Sequence, residues 1–229
     1  MEAGGDPPAD LLSLLAGHVV DAARGLLGVW LVRGDAASLR IGRIVETEAY
    51  GGPEDLASHA RFGHTPRNRS MFGPPGHAYV YGVYGMHTCL NVVCGPPDRA
   101  AAVLVRAVEP VTGVAEMREA RRSRGLATRR AERDAPDRAA ARIETLPVAL
   151  LASGPGNVGA AFSIVPVDDG CDLLDPARPL RLVARPSAER APAVASGPRV
   201  GVTFAGAWAD RPWRFWVVAS TAVSGGRGR

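Results

Sequence analysis

Strand and helix patterns are mixed along this chain without strict βαβ alternation. Leucine spacing over residues 11–27 predicts helical packing, and residues 146–152 also read as helical. Strand patterns occupy residues 29–33, 39–50, 78–84, 88–93, 101–108, 200–204 and 214–219. This mixed order favours an α+β fold, with a curved, largely antiparallel sheet and surrounding helices. A chain of 229 residues suits one domain with a sizeable core.

We expect that domain to span residues 10–220, between disordered tails at 1–9 and 221–229. The first tail is acidic and contains two prolines, and the second is rich in Gly and Arg. No stretch is long and apolar enough for a transmembrane helix, and the N-terminus lacks the basic-then-apolar order of a secretory signal. The sequence therefore predicts a cytoplasmic protein with no membrane partner.

The charge balance permits a polyanionic partner. Net charge is +4, the pI is about 9.4, and all 27 basic residues are arginine. Nine of these arginines lie at residues 118–142 together with four carboxylates. That segment has two equally supported interpretations: it is a surface that adds non-specific nucleic-acid affinity, or it is a solvated, partly mobile insert.

Cysteine and glycine patterns argue against cofactor chemistry. Cys89, Cys94 and Cys171 are odd in number and form no CxxC pair, so we expect neither a disulfide framework nor a zinc site. The GxGxxG and Walker patterns are absent, which disfavours a nucleotide-cofactor enzyme. We expect no cofactor and no metal.

The predicted strand at 39–50 carries the first candidate for chemistry. A period of two places Ile44, Glu46, Glu48 and Tyr50 on one face. One reading is a solvated edge strand. The other is a half-buried face on which a carboxylate beside an aromatic ring acts as a general base.

Two further segments carry polar and aromatic groups. Residues 53–76 form a long loop that contains His59, Thr65 and Arg67, and threonine and arginine are natural phosphate contacts. Tyr79 and Tyr81 share the face of the next predicted strand. Tyr84 follows at the end of that strand, where an aromatic side chain either packs in the core or, in a DNA-binding protein, wedges into the base stack.

Together these segments resemble the alkyladenine (3-methyladenine) DNA glycosylase family, and its bacterial branch in particular. The resemblance spans about residues 10–220, and its motifs are ordered and correctly spaced. They are Glu46-Thr47-Glu48-Ala49-Tyr50, Gly52-Pro53-Glu54-Asp55, Ser58-His59, Thr65-Pro66-Arg67-Asn68, Met71-Phe72, Tyr79-Val80-Tyr81, Tyr84-Gly85-Met86, Asn91, Arg106-Ala107-Val108-Glu109-Pro110, Ser153-Gly154-Pro155-Gly156, Arg199-Val200-Gly201-Val202 and Pro212-Trp213-Arg214-Phe215.

The resemblance implies a base-excision repair enzyme that flips alkylated or deaminated purines and hydrolyses their N-glycosidic bonds. Glu48 is implied as the base that activates the water. Arg106 and the backbone around Val202 are implied to hold that water. The product is an intact abasic site, because a backbone-nicking glycosylase uses an amine and this chain has no lysine; its α-amine lies on the predicted tail.

The resemblance also implies a pocket and a DNA-facing surface. Tyr50, His59 and Tyr81 are implied as the walls around the flipped purine, the backbone at His59 as a hydrogen-bond partner of that base, and Asn91 as a group that excludes the exocyclic amine of guanine. The residues implied to meet DNA are Thr65, Arg67, Tyr84, which fills the vacated stack, and Met86. The expected partner is double-stranded DNA with damaged purines, bound by a monomer at the bacterial nucleoid.

Two positions depart from the family pattern. Asn157 follows Gly156 where the family usually shows lysine, and Thr88 stands where an aromatic residue is common. Two other functions remain open on the residues themselves, a non-catalytic nucleic-acid-binding module and a hydrolase of free nucleosides. The joint presence of Glu48 and Arg106 counts against the first, and the long loop and Tyr84 count against the second.

Overall fold

The computed structural model describes residues 9–35, 38–83, 87–128, 141–185, 189 and 191–225. At its start, two short helices, α1 (Ala9–Ala16) and α2 (Val19–Gly25), occupy the predicted helical stretch. They separate at Gly17 and His18. His18 caps the second helix, because its Nδ1 accepts a hydrogen bond from the backbone N of Val20 at 3.3 Å.

Within the described residues, eight strands join in one sheet. They are β1 (Trp30–Arg33), β2 (Arg40–Tyr50), β3 (Ala78–Val83), β4 (His87–Cys94), β5 (Ala101–Thr112), β6 (Leu180–Val183), β7 (Val194–Gly197) and β8 (Arg214–Val217). The main order is β3-β4-β5-β2-β1-β6, while β8 pairs with β2 and β7 pairs with β8. Every one of these pairings is antiparallel, which confirms the predicted α+β fold with a largely antiparallel sheet.

Strand β2 lies at the centre of this sheet. One side of it pairs with β5 from Ile41 to Tyr50, and the other side pairs first with β1 and then with β8. Its two carboxylates, Glu46 and Glu48, are fully buried. The reading of this segment as a solvated edge strand is therefore wrong.

A β-bulge changes which residues of β2 share a face. The register with β5 shifts between Ile44 and Glu46 and again between Glu46 and Thr47. Ile44 consequently joins the main core with Ala49, on the side where the Thr47 hydroxyl donates to the Ala23 carbonyl of α2 at 2.7 Å. The prediction that Ile44 shares a face with Glu46 is wrong, because the extra residue resets the alternation.

The helix α4 (Pro155–Ala161) packs beside β4 and β5, and the helix α3 (Val114–Thr128) packs against α4. Helix α4 lies so close to β4 that a Cβ at Gly159 would approach the Thr88 carbonyl oxygen to 2.1 Å. The Thr88 hydroxyl donates to the Ile164 carbonyl at 2.7 Å, so the departure at position 88 places a small polar residue beneath this helix. Among the described residues, no helix is both long and apolar enough to cross a membrane.

Three local predictions need correction. Residues 200–204 form no strand. Instead Gly201 adopts a positive φ angle of 77° that interrupts extended backbone, and a 3₁₀ helix with a kink at Gly206 covers Thr203–Trp208. The helical stretch predicted at 146–152 is reduced to a short 3₁₀ helix, Val148–Leu150.

The predicted C-terminal tail also differs in its first part. Ala222 is buried against Val45 and Ala107, and the backbone N of Ser224 donates to Glu46. These contacts give residues 221–225 a fixed place on the sheet, contrary to the disorder predicted for them. Residues 226–229 and 1–8 lie outside the described residues, as does the 129–140 part of the arginine-rich segment.

Candidate active site

The Glu48 carboxylate is held by three groups from three different parts of the chain. Its Oε2 accepts the Tyr50 hydroxyl at 2.8 Å and lies 3.1 Å from Nη1 of Arg106 on β5. Its Oε1 accepts the backbone N of Val200 at 2.7 Å. Charge-assisted hydrogen bonds of this kind fix the position of a carboxylate that is buried away from solvent.

Arg106 bridges the two glutamates of β2. Its Nε donates to Glu46 Oε1 at 2.9 Å, while its Nη1 pairs with Glu48. Burial lowers the pKa of Arg106, but the two carboxylates outweigh that effect and leave its pKa above the ordinary value. The guanidinium is therefore a fixed positive charge next to Glu48.

A second group of side chains forms an aromatic wall. His59 Nδ1 lies 2.8 Å from the Tyr79 hydroxyl, and its ring meets that of Tyr81 edge to face at 4.7 Å between centroids. The Tyr79 and Tyr81 rings are 5.4 Å apart. Edge-to-face and offset contacts at these distances are favourable, so the three rings support one another.

The aromatic wall is electrically neutral near pH 7. Burial, together with the positive charges of Arg67 and Arg61, lowers the pKa of His59. Burial also raises the pKa of Tyr79 to about 12 and raises that of Tyr81 further. Burial and the Glu48 carboxylate raise the pKa of Tyr50 well above its usual value, so its hydroxyl keeps the proton that it donates.

The loop that carries His59 is organised by Asn68. The Asn68 amide nitrogen donates to the carbonyls of His59 and Gly63, at 3.1 and 2.9 Å. Its amide oxygen accepts from both the backbone N and the hydroxyl of Thr65, at 2.7 and 2.8 Å. The long predicted loop thus contains two 3₁₀ helices, His59–Phe62 and Arg69–Phe72, around one buried side chain.

Glu48, Arg106 and their buried partners form a charged wall. This wall and the aromatic wall enclose a cavity of about 300 Å³, within the range of small-molecule sites. Tyr50, Arg106 and Val200 line this cavity and also contact Glu48, so the carboxylate lies directly behind its wall. The cavity is lined by Tyr50, Ala57, His59, Met71, Tyr79, Tyr81, Val83, Cys89, Asn91, Leu104, Arg106, Pro155, Val200, Gly201, Val202 and Phe204.

The structure brings most of the predicted site residues to this cavity. Asn91 and Val202 both line it, and the Asn91 amide nitrogen donates to the Tyr79 carbonyl at 3.0 Å. Thr65 and Arg67 line an adjoining cavity of about 290 Å³ that shares His59 and Tyr79 with the first. Tyr84 and Met86, predicted to meet DNA, lie outside the described residues.

Two buried ionic residues at the site were given no role by the predictions from sequence. Arg199 and Asp55, both without solvent exposure, form a bidentate pair at 2.6 and 2.9 Å. Arg199 also donates to the carbonyls of Ala49 and Trp208. This pair anchors the segment that delivers Val200 to Glu48. Both residues lie within motifs quoted for the family resemblance, but they are 144 positions apart, so no local pattern predicts that they pair.

Part of the arginine-rich segment has a structural role. Arg118 donates to the carbonyls of Ile143 and Leu146, and Arg121 donates to those of Leu150 and Leu151. These bonds attach α3 to the chain that follows it. Arg121 also donates to Asn157 Oδ1 at 2.9 Å. Asn157, which departs from the family pattern, therefore makes an intramolecular contact.

Comparison with known proteins matches this sequence to one family. The sequence model of the family described as Methylpurine-DNA glycosylase (MPG) matches residues 13–221. A protein of Nocardia farcinica is 46% identical over 210 residues, which cover 89% of this chain and 84% of that protein. One of Rhodococcus jostii is 47% identical over 210 residues, covering 90% and 80%. One of Myxococcus xanthus is 42% identical over 214 residues, covering 93% and 92%. All three bear the name "Putative 3-methyladenine DNA glycosylase".

Proposed function

The chain belongs to the methylpurine-DNA glycosylase family. We propose that it hydrolyses the N-glycosidic bond of alkylated or deaminated purines in double-stranded DNA. The water is activated by Glu48, and the product is an abasic site. One observation carries the proposal. The buried Glu48 carboxylate contacts three groups, Tyr50, Arg106 and Val200, that also line the cavity between the charged and aromatic walls.

Glu48 is suited to receive a proton from water. Among the described residues, its Oε1 accepts one hydrogen bond, from Val200, and a carboxylate oxygen can accept two. In the proposed step, the water oxygen bonds to the sugar C1′ and the C1′–N bond breaks, with its electron pair leaving on the base. The water proton passes to Glu48, whose negative charge also stabilises the oxocarbenium-like sugar.

The aromatic wall is suited to hold the flipped base. His59 and Tyr81 of this wall line the same cavity as Tyr50, and flipped bases are bound by stacking on aromatic rings. Alkylated purines carry positive charge, which favours both stacking on tyrosine and departure from the sugar. Hypoxanthine is neutral, and its departure requires a proton, which we assign to solvent. Asn91, between these walls, is proposed to exclude the exocyclic amine of guanine.

The remaining assignments concern DNA and the outcome of the reaction. Thr65, Arg67, Tyr84 and Met86 are proposed to contact the duplex, with Tyr84 filling the space of the flipped base. Because the chain contains no lysine, we propose a monofunctional enzyme that leaves the abasic strand unbroken. We propose that it acts as a monomer on the nucleoid in the bacterial cytoplasm.

The test is excision from duplexes that each contain one defined lesion, with Glu48→Gln as the paired variant. The wild type is expected to release 3-methyladenine, 7-methylguanine or hypoxanthine and to leave an alkali-sensitive, unbroken strand. Glu48→Gln is expected to lose about a thousandfold or more in single-turnover rate while keeping its affinity for an abasic duplex, because it removes proton acceptance and the negative charge but keeps the size of the side chain.

Three results would contradict the proposal. Excision by Glu48→Gln near the wild-type rate would move the base elsewhere, with Glu46 as the next candidate. Strand breakage by pure enzyme without alkali would overturn the monofunctional assignment. Release of methylated base from free nucleosides but not from duplex DNA would replace a DNA glycosylase with a nucleoside hydrolase.

A further inference from the structure

Glu46, two residues before Glu48, has both carboxylate oxygens occupied by donors from the protein. Its Oε1 accepts Nε of Arg106 at 2.9 Å and Nε of Arg214 at 2.7 Å. Its Oε2 accepts the backbone N of Ser224 at 2.6 Å. Arg214 and Ser224 do not line the cavity, whereas Tyr50 and Val200, which hold Glu48, do. The fully buried Glu46 carboxylate therefore acts on its protein partners rather than on a water molecule in the cavity.

The partner that Glu46 shares with the proposed base is Arg106. Each outer nitrogen of this guanidinium has its own contact: Nε with Glu46, Nη1 with Glu48, and Nη2 with the Ser224 hydroxyl at 3.1 Å. Three contacts at fixed positions around a planar fork define its orientation. Removing one of these contacts allows the guanidinium plane of Arg106 to rotate relative to Glu48.

Ser224 joins this network through three atoms. Its backbone N binds Glu46, its hydroxyl binds Arg106, and its carbonyl accepts Nη2 of Arg214 at 2.9 Å. These bonds attach residues 220–225 to the charged wall, although Ser224 lies 118 positions beyond Arg106.

The four ionic groups also balance in charge. Glu46 and Glu48 contribute two negative charges, and Arg106 and Arg214 contribute two positive ones, all with side chains at most 13% exposed. Neutralising Glu46 would leave a net positive charge next to a sugar that becomes positive in the transition state. At low dielectric such an excess charge opposes the reaction strongly.

We infer that Glu46 is a positioning residue for the reaction proposed above, and that Ser224 is part of the same assembly. Glu46 holds Arg106 against Glu48 and keeps the charged wall neutral, and Ser224 anchors both arginines from behind. The inference rests on the proposed function, because it concerns the same base and the same water.

The first test is Glu46→Gln, measured by single-turnover excision and by affinity for an abasic duplex. The rate is expected to fall about tenfold to a hundredfold, the size of a lost hydrogen bond to a charged group, with affinity within about twofold of wild type. The acid limb of the pH–rate profile is expected to move to lower pH, because removing a neighbouring negative charge makes the base easier to keep ionised. A purely structural role would leave that limb in place.

The second test uses Ser224→Ala, with Thr221→Ala as the matched control at an exposed neighbouring position. Ser224→Ala removes the hydroxyl contact to Arg106 and is expected to slow excision several-fold with unchanged affinity, whereas Thr221→Ala should match the wild type. Circular dichroism melting confirms that each variant is folded. If Glu46→Gln does not fold, Glu46→Asp, which keeps the charge, is expected to fold and to retain the wild-type acid limb.

The outcomes separate this inference from the proposed function. A wild type that excises no lesion removes the proposed function. A wild type that excises, together with Glu46→Gln and Ser224→Ala variants that keep its rate and its acid limb, removes only the role of Glu46 and Ser224. A parallel loss of rate and duplex affinity in Glu46→Gln also overturns it, because that pattern indicates a role in DNA binding.

Discussion

The two walls of the cavity differ in how their side chains are held. The charged wall consists of Glu48, Arg106 and their buried partners, joined by charge-assisted hydrogen bonds between 2.6 and 3.1 Å. The aromatic wall of His59, Tyr79 and Tyr81 is joined by ring contacts and one neutral hydrogen bond. A wall with fixed charges is suited to bond cleavage, and a neutral wall of rings is suited to hold planar bases of differing charge.

The largest effect is expected from breaking the charged wall at Arg106. Arg106→Gln would leave Glu46 and Glu48 as two buried carboxylates that lack their shared cation. We expect the free energy of unfolding to fall by about 3–5 kcal/mol, the usual cost of removing one partner from a buried ion pair. Urea denaturation monitored by tryptophan fluorescence measures this change.

A double variant sharpens that prediction. Arg106→Gln combined with Glu46→Gln removes one of the two carboxylates that lost Arg106, so the repulsion between them disappears and the double variant should be more stable than Arg106→Gln alone. If the second substitution instead adds its own full destabilisation, the two residues are not coupled, and the electrostatic description of this wall is wrong.

The sheet and part of the aromatic wall follow from short-range patterns in the sequence, whereas the wall role of His59, 20 positions before Tyr79, was implied by the family resemblance. The order of strands predicted the antiparallel sheet, and alternation along one strand placed Tyr79 and Tyr81 on one face. These patterns were sufficient because each depends on neighbours a few residues apart.

The charged wall depends on contacts that no local pattern contains. Glu46 meets Arg214 and Ser224 across 168 and 178 positions, and Ser224 lies in a segment whose composition predicts a tail. The bulge beside Glu46 breaks the alternation that assigns residues to faces. Composition and periodicity describe single segments, so they carry no information on which distant donors meet a buried carboxylate.

A smaller effect is expected from removing one ring of the aromatic wall. Tyr81→Ala should weaken binding to a lesion-containing duplex by about 1–3 kcal/mol, the value of one base–aromatic stacking contact. The rate of excision from the bound complex should change less, because Glu48 and Arg106 keep their contacts. The paired measurements are lesion-duplex affinity and single-turnover rate at saturating enzyme.

Two comparisons decide whether the walls divide their roles in this way. Tyr81→Phe keeps the ring and should retain lesion affinity. If Tyr81→Ala instead lowers the bound-state rate as much as Glu48→Gln does, with affinity unchanged, the separation of recognition from chemistry fails.

The smallest expected effect concerns the charge of His59. Its pKa lies below the ordinary value of 6.5, so the folded protein holds it neutral where an unfolded chain already takes up a proton. Its contribution to stability is therefore complete above pH 6.5 and is lost as pH falls from there towards its folded pKa. Once protonated, His59 repels a cationic base in the cavity but not a neutral one.

Binding by the Glu48→Gln variant isolates this charge from catalysis. Between pH 7.5 and 5, its affinity for a 7-methylguanine duplex relative to a hypoxanthine duplex is expected to decrease by less than about tenfold, since one partly solvated charge is involved. Adding His59→Gln, which cannot take up the proton, should make the ratio independent of pH. A ratio that still falls with acid in that double variant would mean that the pH dependence arises outside the aromatic wall, and that the charge of His59 does not control which bases this wall accepts.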